Sequence, residues 1–177
     1  MKVWSRTAVA LAGAACFAAV LGTGAAQAAP RDGTYCALLV GKATGDASSP
    51  LLGKVCSEVS LADAESGLRA TRSLRAPVKI MYWYENVDYN NYAPSGGGAM
   101  ATIIGDDGPC DAAGYRVEPS SWWSRNMTSL AGNNSCYTAR VYNNAENDAD
   151  DFGIHVGGRG HWLERFNDNV GRIQVHA

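Results

Sequence analysis

The spacing of hydrophobic and polar positions changes near residue 77, and the change divides the chain. Before it, residues 35–40 (Tyr-Cys-Ala-Leu-Leu-Val) form a short apolar run suited to a strand, and residues 51–59 offer it a partner. The stretch 45–50 between them, Gly-Asp-Ala-Ser-Ser-Pro, is turn material. Ser60 reads as a helix N-cap, with Asp63 three residues on and Ala64, Leu68 and Ala70 as apolar positions. Gly67 and Pro77 keep that helix short. Beyond residue 77, the segment 78–84 (Val-Lys-Ile-Met-Tyr-Trp-Tyr) alternates and is rich in β-formers. Residues 99–104, 136–142, 152–156 and 172–176 are further strand candidates, separated by clusters of Gly, Asn, Asp and Ser. Many short strands joined by turns predict an all-β antiparallel sandwich over 78–177. The region 29–77 is then an extension packed on that sandwich, because fewer than 50 residues with one bridge build a poor core of their own.

The first residues have another texture. Lys2 and Arg6 precede an apolar, Ala-rich stretch over 7–23 that ends in Ala26-Gln27-Ala28. This pattern predicts a cleaved secretory signal over 1–28, and the stretch is short for a membrane span. Cleavage would leave 149 residues with 13 basic and 17 acidic groups. That balance argues against a nucleic-acid partner, and no later segment is apolar for long enough to cross a bilayer. Cys16 leaves with the signal, and Cys36, Cys56, Cys110 and Cys136 remain. Four cysteines in an exported chain predict two disulfides, and no Cys-x-x-Cys pair favours zinc. Cys36 and Cys56 lie on opposite arms of the first hairpin, and local pairing then joins Cys110 to Cys136. The prediction is a secreted, extracellular protein.

A weak repeat runs through 78–177. Residues 123–130 (Trp-Ser-Arg-Asn-Met-Thr-Ser-Leu) align with 166–173 (Phe-Asn-Asp-Asn-Val-Gly-Arg-Ile), and 84–91 have a role like that of 142–146. Strand, folded hairpin, long connection, polar turn and final strand, used twice, describe two Greek keys. Tyr84 and Tyr89 match the spaced aromatics of the first βγ-crystallin hairpin, and Asn91 takes the place of its Gly, as the residue that best tolerates positive φ. Asn167-Asp168 keep the first half of that family's calcium motif, and Thr128-Ser129 the second half. On these residues 78–177 resembles the βγ-crystallin superfamily. Residues 108–115 (Gly-Pro-Cys-Asp-Ala-Ala-Gly-Tyr) and 166–173 are similar to the secreted actinobacterial metalloproteinase inhibitors of this fold. The resemblance implies a double Greek-key sandwich and composite calcium sites. Thr128, Asn167 and Asp168 would form one site, whereas its reciprocal has Gly171 where a hydroxyl is needed and Arg125 beside the ion. At most one weakly held calcium ion is expected, and no cofactor is required.

The chain carries no catalytic signature. His155, His161 and His176 lie outside any Gly-x-Ser-x-Gly elbow, His-Glu-x-x-His helix or phosphate loop, and we expect no enzyme. The acidic run 146–151 reads as a solvated hairpin tip, with a calcium loop as its rival. Of the paired aromatics, an outward Trp83 or Trp122 would suit a protein or carbohydrate contact. A binding protein is the first expectation, with a loop at Gly108, Pro109 and Asp111 held by the Cys110–Cys136 bridge and a secreted proteinase as partner. A calcium-stabilised module of the cell exterior is the alternative.

Overall fold

The structure is a computed structural model that describes residues 34–71, 77–91, 97–155 and 157–177; the expected signal segment lies outside them. The described chain is mostly β-sheet. It runs β1 (Tyr35–Val40), β2 (Leu51–Ser57), α1 (Leu61–Thr71), β3 (Val78–Tyr84), β4 (Met100–Gly105), β5 (Tyr115–Val117), β6 (Ser129–Gly132), β7 (Thr138–Asn143), β8 (Ala149–Gly153) and β9 (Val170–His176). One sheet has the order β2-β1-β4-β3-β6, and the other β5-β9-β7-β8. All pairings are antiparallel except β1 with β4, which run parallel from Tyr35 opposite Met100 to Val40 opposite Gly105.

The two sheets close over one core. From the first sheet come Cys36, Leu38, Val40, Ile80, Trp83, Ile103 and Leu130; from the second, Tyr115, Val117, Val141, Phe152, Ile173 and Val175. Trp83 meets Trp123 edge-on at 5.9 Å, and Phe152 meets Phe166 at the same separation. Both copies of the repeat pack alike: Trp123, Met127 and Leu130 are buried in one, and Phe166, Val170 and Ile173 in the other.

The expected 29–77 extension contributes β1, which pairs with β4 and so joins the first sheet. β1 lies between β2 and β4, so both of its edges are paired. Cys36, Leu38 and Val40 enter the main core, while Ala37 and Leu39 meet Ala64 and Leu68 of α1 together with Ile104. Burial on both sides explains why β1 reads as an unbroken apolar run. The helix begins where its cap predicts, with the Asp63 amide donating to Ser60 Oγ at 3.1 Å. Glu65 on its inner face accepts from the buried Thr102 hydroxyl at 3.0 Å and pairs with Lys79 at 2.8 Å.

Four expectations change. Trp83 is fully buried, because a bulge between Lys79 and Met81 resets the alternation and turns Tyr82 and Tyr84 to the outer face. Asn91 sits at φ −65°; the positive φ values fall on Asp88, Tyr89 and Asn90 just before it. Strands β5 and β6 join the list of candidates, being too short to announce themselves. β8 starts inside the acidic run, so only 144–148 form the turn. The strand tolerates those carboxylates because arginines meet them, Arg140 lying directly across from Asp151.

Candidate functional site

The connection from β4 to β5 is an exposed loop held at many points. Gly105 ends β4 beneath the Tyr115 ring, and a Cβ there would lie 2.5 Å from the phenol oxygen. The ring is thereby free to place its hydroxyl on the carbonyl of Gly108, to which it donates at 2.7 Å. Gly108 itself is buried at φ +91°, a conformation that glycine adopts without strain. Two residues on, Cys110 is bridged to Cys136 and its amide donates to Asn134 O at 3.4 Å. Asp111 accepts from the amides of Ala113 and Gly114 at 3.1 and 3.0 Å, a local turn, and its other carboxylate oxygen pairs with Lys42. The Lys42 hydrogen bond, aided by the Gly114 amide, holds the Asp111 carboxyl below the usual range. The backbone amide of Lys42 donates to Asp107 at 3.0 Å, and the Asp106 amide to Val40 O at 2.9 Å. Pro109 and residues 111–113 remain exposed on this framework.

Of the three loop residues chosen from sequence, Pro109 and Asp111 are therefore at the surface, and Gly108 is part of the support. Lys42 and Tyr115 had no sequence signal as supports. Burial, and after it the charges of Asp107, Asp111 and Asp106, push the Tyr115 phenol up to about 12.

A second set of residues meets where the polar turns approach the first hairpin. Thr128 donates its amide to Tyr84 O at 3.0 Å and accepts from Leu163 at 2.9 Å, while the Asp168 amide donates to Met127 O at 3.2 Å. The backbone of Thr128 is thus brought beside Asn167 and Asp168. The Asn167 amide group donates to Asp168 at 2.8 Å, which leaves Asn167 Oδ1 buried without a hydrogen-bond partner among the described residues. Asp168 is exposed by area, yet partial burial of its carboxyl and the charge of Glu85 raise it above the usual range. Glu85 is the member that the sequence did not signal. These donors are all oxygens and suit a hard cation, although no group of three or more His, Cys, Asp or Glu gathers among the described residues. The reciprocal position is closed: Ser124 hydrogen-bonds Asn144, and a Cβ at Gly171 would meet Asn143 O at 2.3 Å.

No family model, curated protein or solved structure matches the chain.

The acidic run is occupied by its own neighbours. Arg165 binds Asp148 at 2.8 Å and Asp150 at 3.2 Å, Arg159 binds Asp150, Arg140 binds Asp151, and Arg172 binds Glu146. Arg165 lowers the Asp148 carboxyl; the Asp151 amide, followed by Arg159 and Arg165, lowers that of Asp150. Carboxylates neutralised in this way make a poor calcium loop.

Proposed function

We propose that the protein is an exported binding protein of crystallin-like fold that inhibits a secreted peptidase of the metalloproteinase type. The observation that carries this reading is the 106–114 loop, exposed at Pro109 and 111–113 yet held by a disulfide, a buried phenol and Lys42. A loop fixed before docking loses little conformational freedom when it binds, which is what a tight inhibitor needs. The crystallin part is supported by strand order. β4-β3-β6 and β8-β7-β9 are equivalent triplets, and β5, between β4 and β6 in the chain, lies in the second sheet beside β9. Export is supported by two formed disulfides. The test is titration of secreted metallo- and serine proteinases with the protein. Inhibition near one to one supports the reading, and no inhibition across the panel refutes it.

A second reading, a calcium-stabilised exterior module, is favoured by the unpartnered Asn167 Oδ1 beside Asp168 and Glu85. It expects a thermal melt that rises with calcium, falls with EDTA and loses the response in Asp168→Ala.

A further inference from the structure

A cleft of about 420 Å³ opens between the 88–90 turn and the 159–161 turn, lined by Val87, Asp88, His161 and Trp162. Trp162 leaves 51% of its surface in solvent, and Val87 36%. Neither exposure comes from a loose chain. On one wall, Asp88, Tyr89 and Asn90 hold φ values of 49°, 60° and 67°, three consecutive left-handed residues of which none is glycine. Such backbone persists only where its surroundings over-determine it. Here the Tyr89 amide donates to Ser129 Oγ at 3.2 Å, and the Asn86 amide to Asn90 Oδ1 at 2.9 Å. The Asn90 side chain in turn donates to Ala99 O at 3.2 Å, and the Tyr89 ring packs on Tyr84 at 5.4 Å. On the other wall, Gly160 lies against β6 so closely that a Cβ would be 2.4 Å from Leu130 O. Leu163, just past the tryptophan, is buried and donates to Thr128 O. Trp162 is thus carried between two anchored residues with its indole outside.

The polar groups of the cleft have fixed roles. His161 Nδ1 lies 2.8 Å from Gly158 O, a pure acceptor, so Nδ1 carries a proton and Nε2 is the nitrogen left for a ligand. Asp88 supplies a carboxylate, of which Oδ2 accepts from the Asn91 amide group at 3.5 Å and Oδ1 is left for a ligand. An exposed indole and Val87 line the same opening as one carboxylate and one imidazole, so an apolar surface and hydrogen-bonding groups share the cleft. The opening is shallow, a shape that fits an extended ligand laid across it better than one enclosed. A pyranose with all substituents equatorial matches both parts. Its axial C–H bonds make an apolar face for the indole, and its equatorial hydroxyls point outward to Asp88 and His161. A purely alkyl ligand would leave those two groups unused, and an anionic sugar would meet the charge of Asp88.

We infer that this cleft binds neutral β-1,4-linked pyranose chains, with Trp162 as the stacking platform and Asp88 and His161 as hydroxyl partners. The inference is independent of the 106–114 loop and of peptidase inhibition. The experiment is calorimetric titration of the full chain with cellohexaose and with chitohexaose, two sources of the same equatorial chemistry. β-1,4-Linked galactohexaose, whose axial 4-oxygens bend the chain and place a polar substituent on one face of each ring, is the control. Binding of at least one of the first two is expected, with the control at least tenfold weaker. Trp162→Ala should weaken binding tenfold or more, Trp162→Phe less, and Asp88→Asn several-fold, all with melting temperatures near that of the parent. A shifted melt in Trp162→Ala passes the decision to Trp162→Phe and Asp88→Asn. Lack of binding to both hexamers at millimolar concentration, equal binding of the control, or undiminished binding by the folded variants would overturn the assignment.

Discussion

The Tyr115 phenol provides a sharp test of how the 106–114 loop is held. Tyr115→Phe removes a single oxygen from a fully buried ring and leaves the Gly108 carbonyl without that donor. A lost hydrogen bond together with a buried, unsatisfied carbonyl costs about 1–2 kcal/mol, so the variant should be less stable by that amount at pH 7. The sign then changes with pH. The unfolded phenol ionises near 10, whereas the folded one holds its proton to about 12. Stability from this group is therefore complete below pH 10 and is lost as pH rises toward 12, where the parent has given up roughly 2 kcal/mol. The variant has no phenol to titrate at this position. Tyr84, also pushed up to about 12 by burial and the nearby Tyr82 and Tyr89, is present in both proteins and cancels from the difference. The two stability curves should cross between roughly pH 10.5 and 11.5. Denaturant unfolding of both proteins from pH 7 to 12, without thiol, measures the difference directly. A gap that stays constant across this range would show that the phenol is not buried as described, and equal stability at pH 7 would show that it does not brace Gly108.

Three further outcomes follow from packing and charge. Gly105→Ala places a Cβ 2.5 Å from the same phenol oxygen and 2.6 Å from the ring Cζ, so it should displace the ring and cost about 1–3 kcal/mol; because both changes disturb the one Gly108 hydrogen bond, its combination with Tyr115→Phe should cost less than the sum in denaturant melts. Replacing Cys110 and Cys136 by Ser opens a loop with a sequence separation of 26 and should remove about 3 kcal/mol in the same assay. Arg165→Ala should raise the Asp148 titration toward the ordinary carboxylate range, and that of Asp150 by less, when followed by carbon NMR of the side chains. Because both carboxyls sit low in the folded state, the stability they supply is lost as pH falls through their folded values, and the variant should show less of that acid-side loss.

The parts of the fold that could be read in advance were those whose signal is local. The bounds of β1 and β3 coincide with their apolar runs, Ser60 caps the helix through its own hydroxyl, and both disulfides join neighbouring cysteines. What escaped depends on distant residues. β5 has three residues and β6 four, and each is a strand only because β9 or β3 lies beside it. In 82–84 every residue is aromatic, so alternation alone cannot say which one faces inward, and the bulge at Lys79–Met81 decides it. β8 needed arginines from positions 140, 159 and 165 before its acidic start could be read as strand. The loop was visible from its Cys, Pro and Gly, but its supports Lys42 and Tyr115 were not, because nothing in the local sequence links position 42 to position 111.

That link comes from the parallel pairing of β1 with β4. Parallel strands leave a sheet at the same end, so Val40 lies opposite Gly105 and the two chains that follow emerge side by side. Residues 41–42 therefore run next to 106–107, and Lys42 reaches both Asp107 and Asp111. The N-terminal hairpin thus delivers a brace to the loop as well as apolar side chains to the core. If bracing is the function of Lys42, replacing it should affect the loop more than the fold. Asp111 is exposed, and a surface ion pair contributes at most about 1 kcal/mol, so Lys42→Met should melt within a few degrees of the parent. The Asp111 carboxyl should move up toward its usual range, but only in part, since the amides of Gly114 and Ala113 still hold it. Amide exchange at 111–114 should quicken while exchange in β1 and β4 is unchanged, and affinity for any proteinase the parent inhibits should fall. Exchange that quickened equally through β1 and β4 would mean that Lys42 supports the sheet and not the loop.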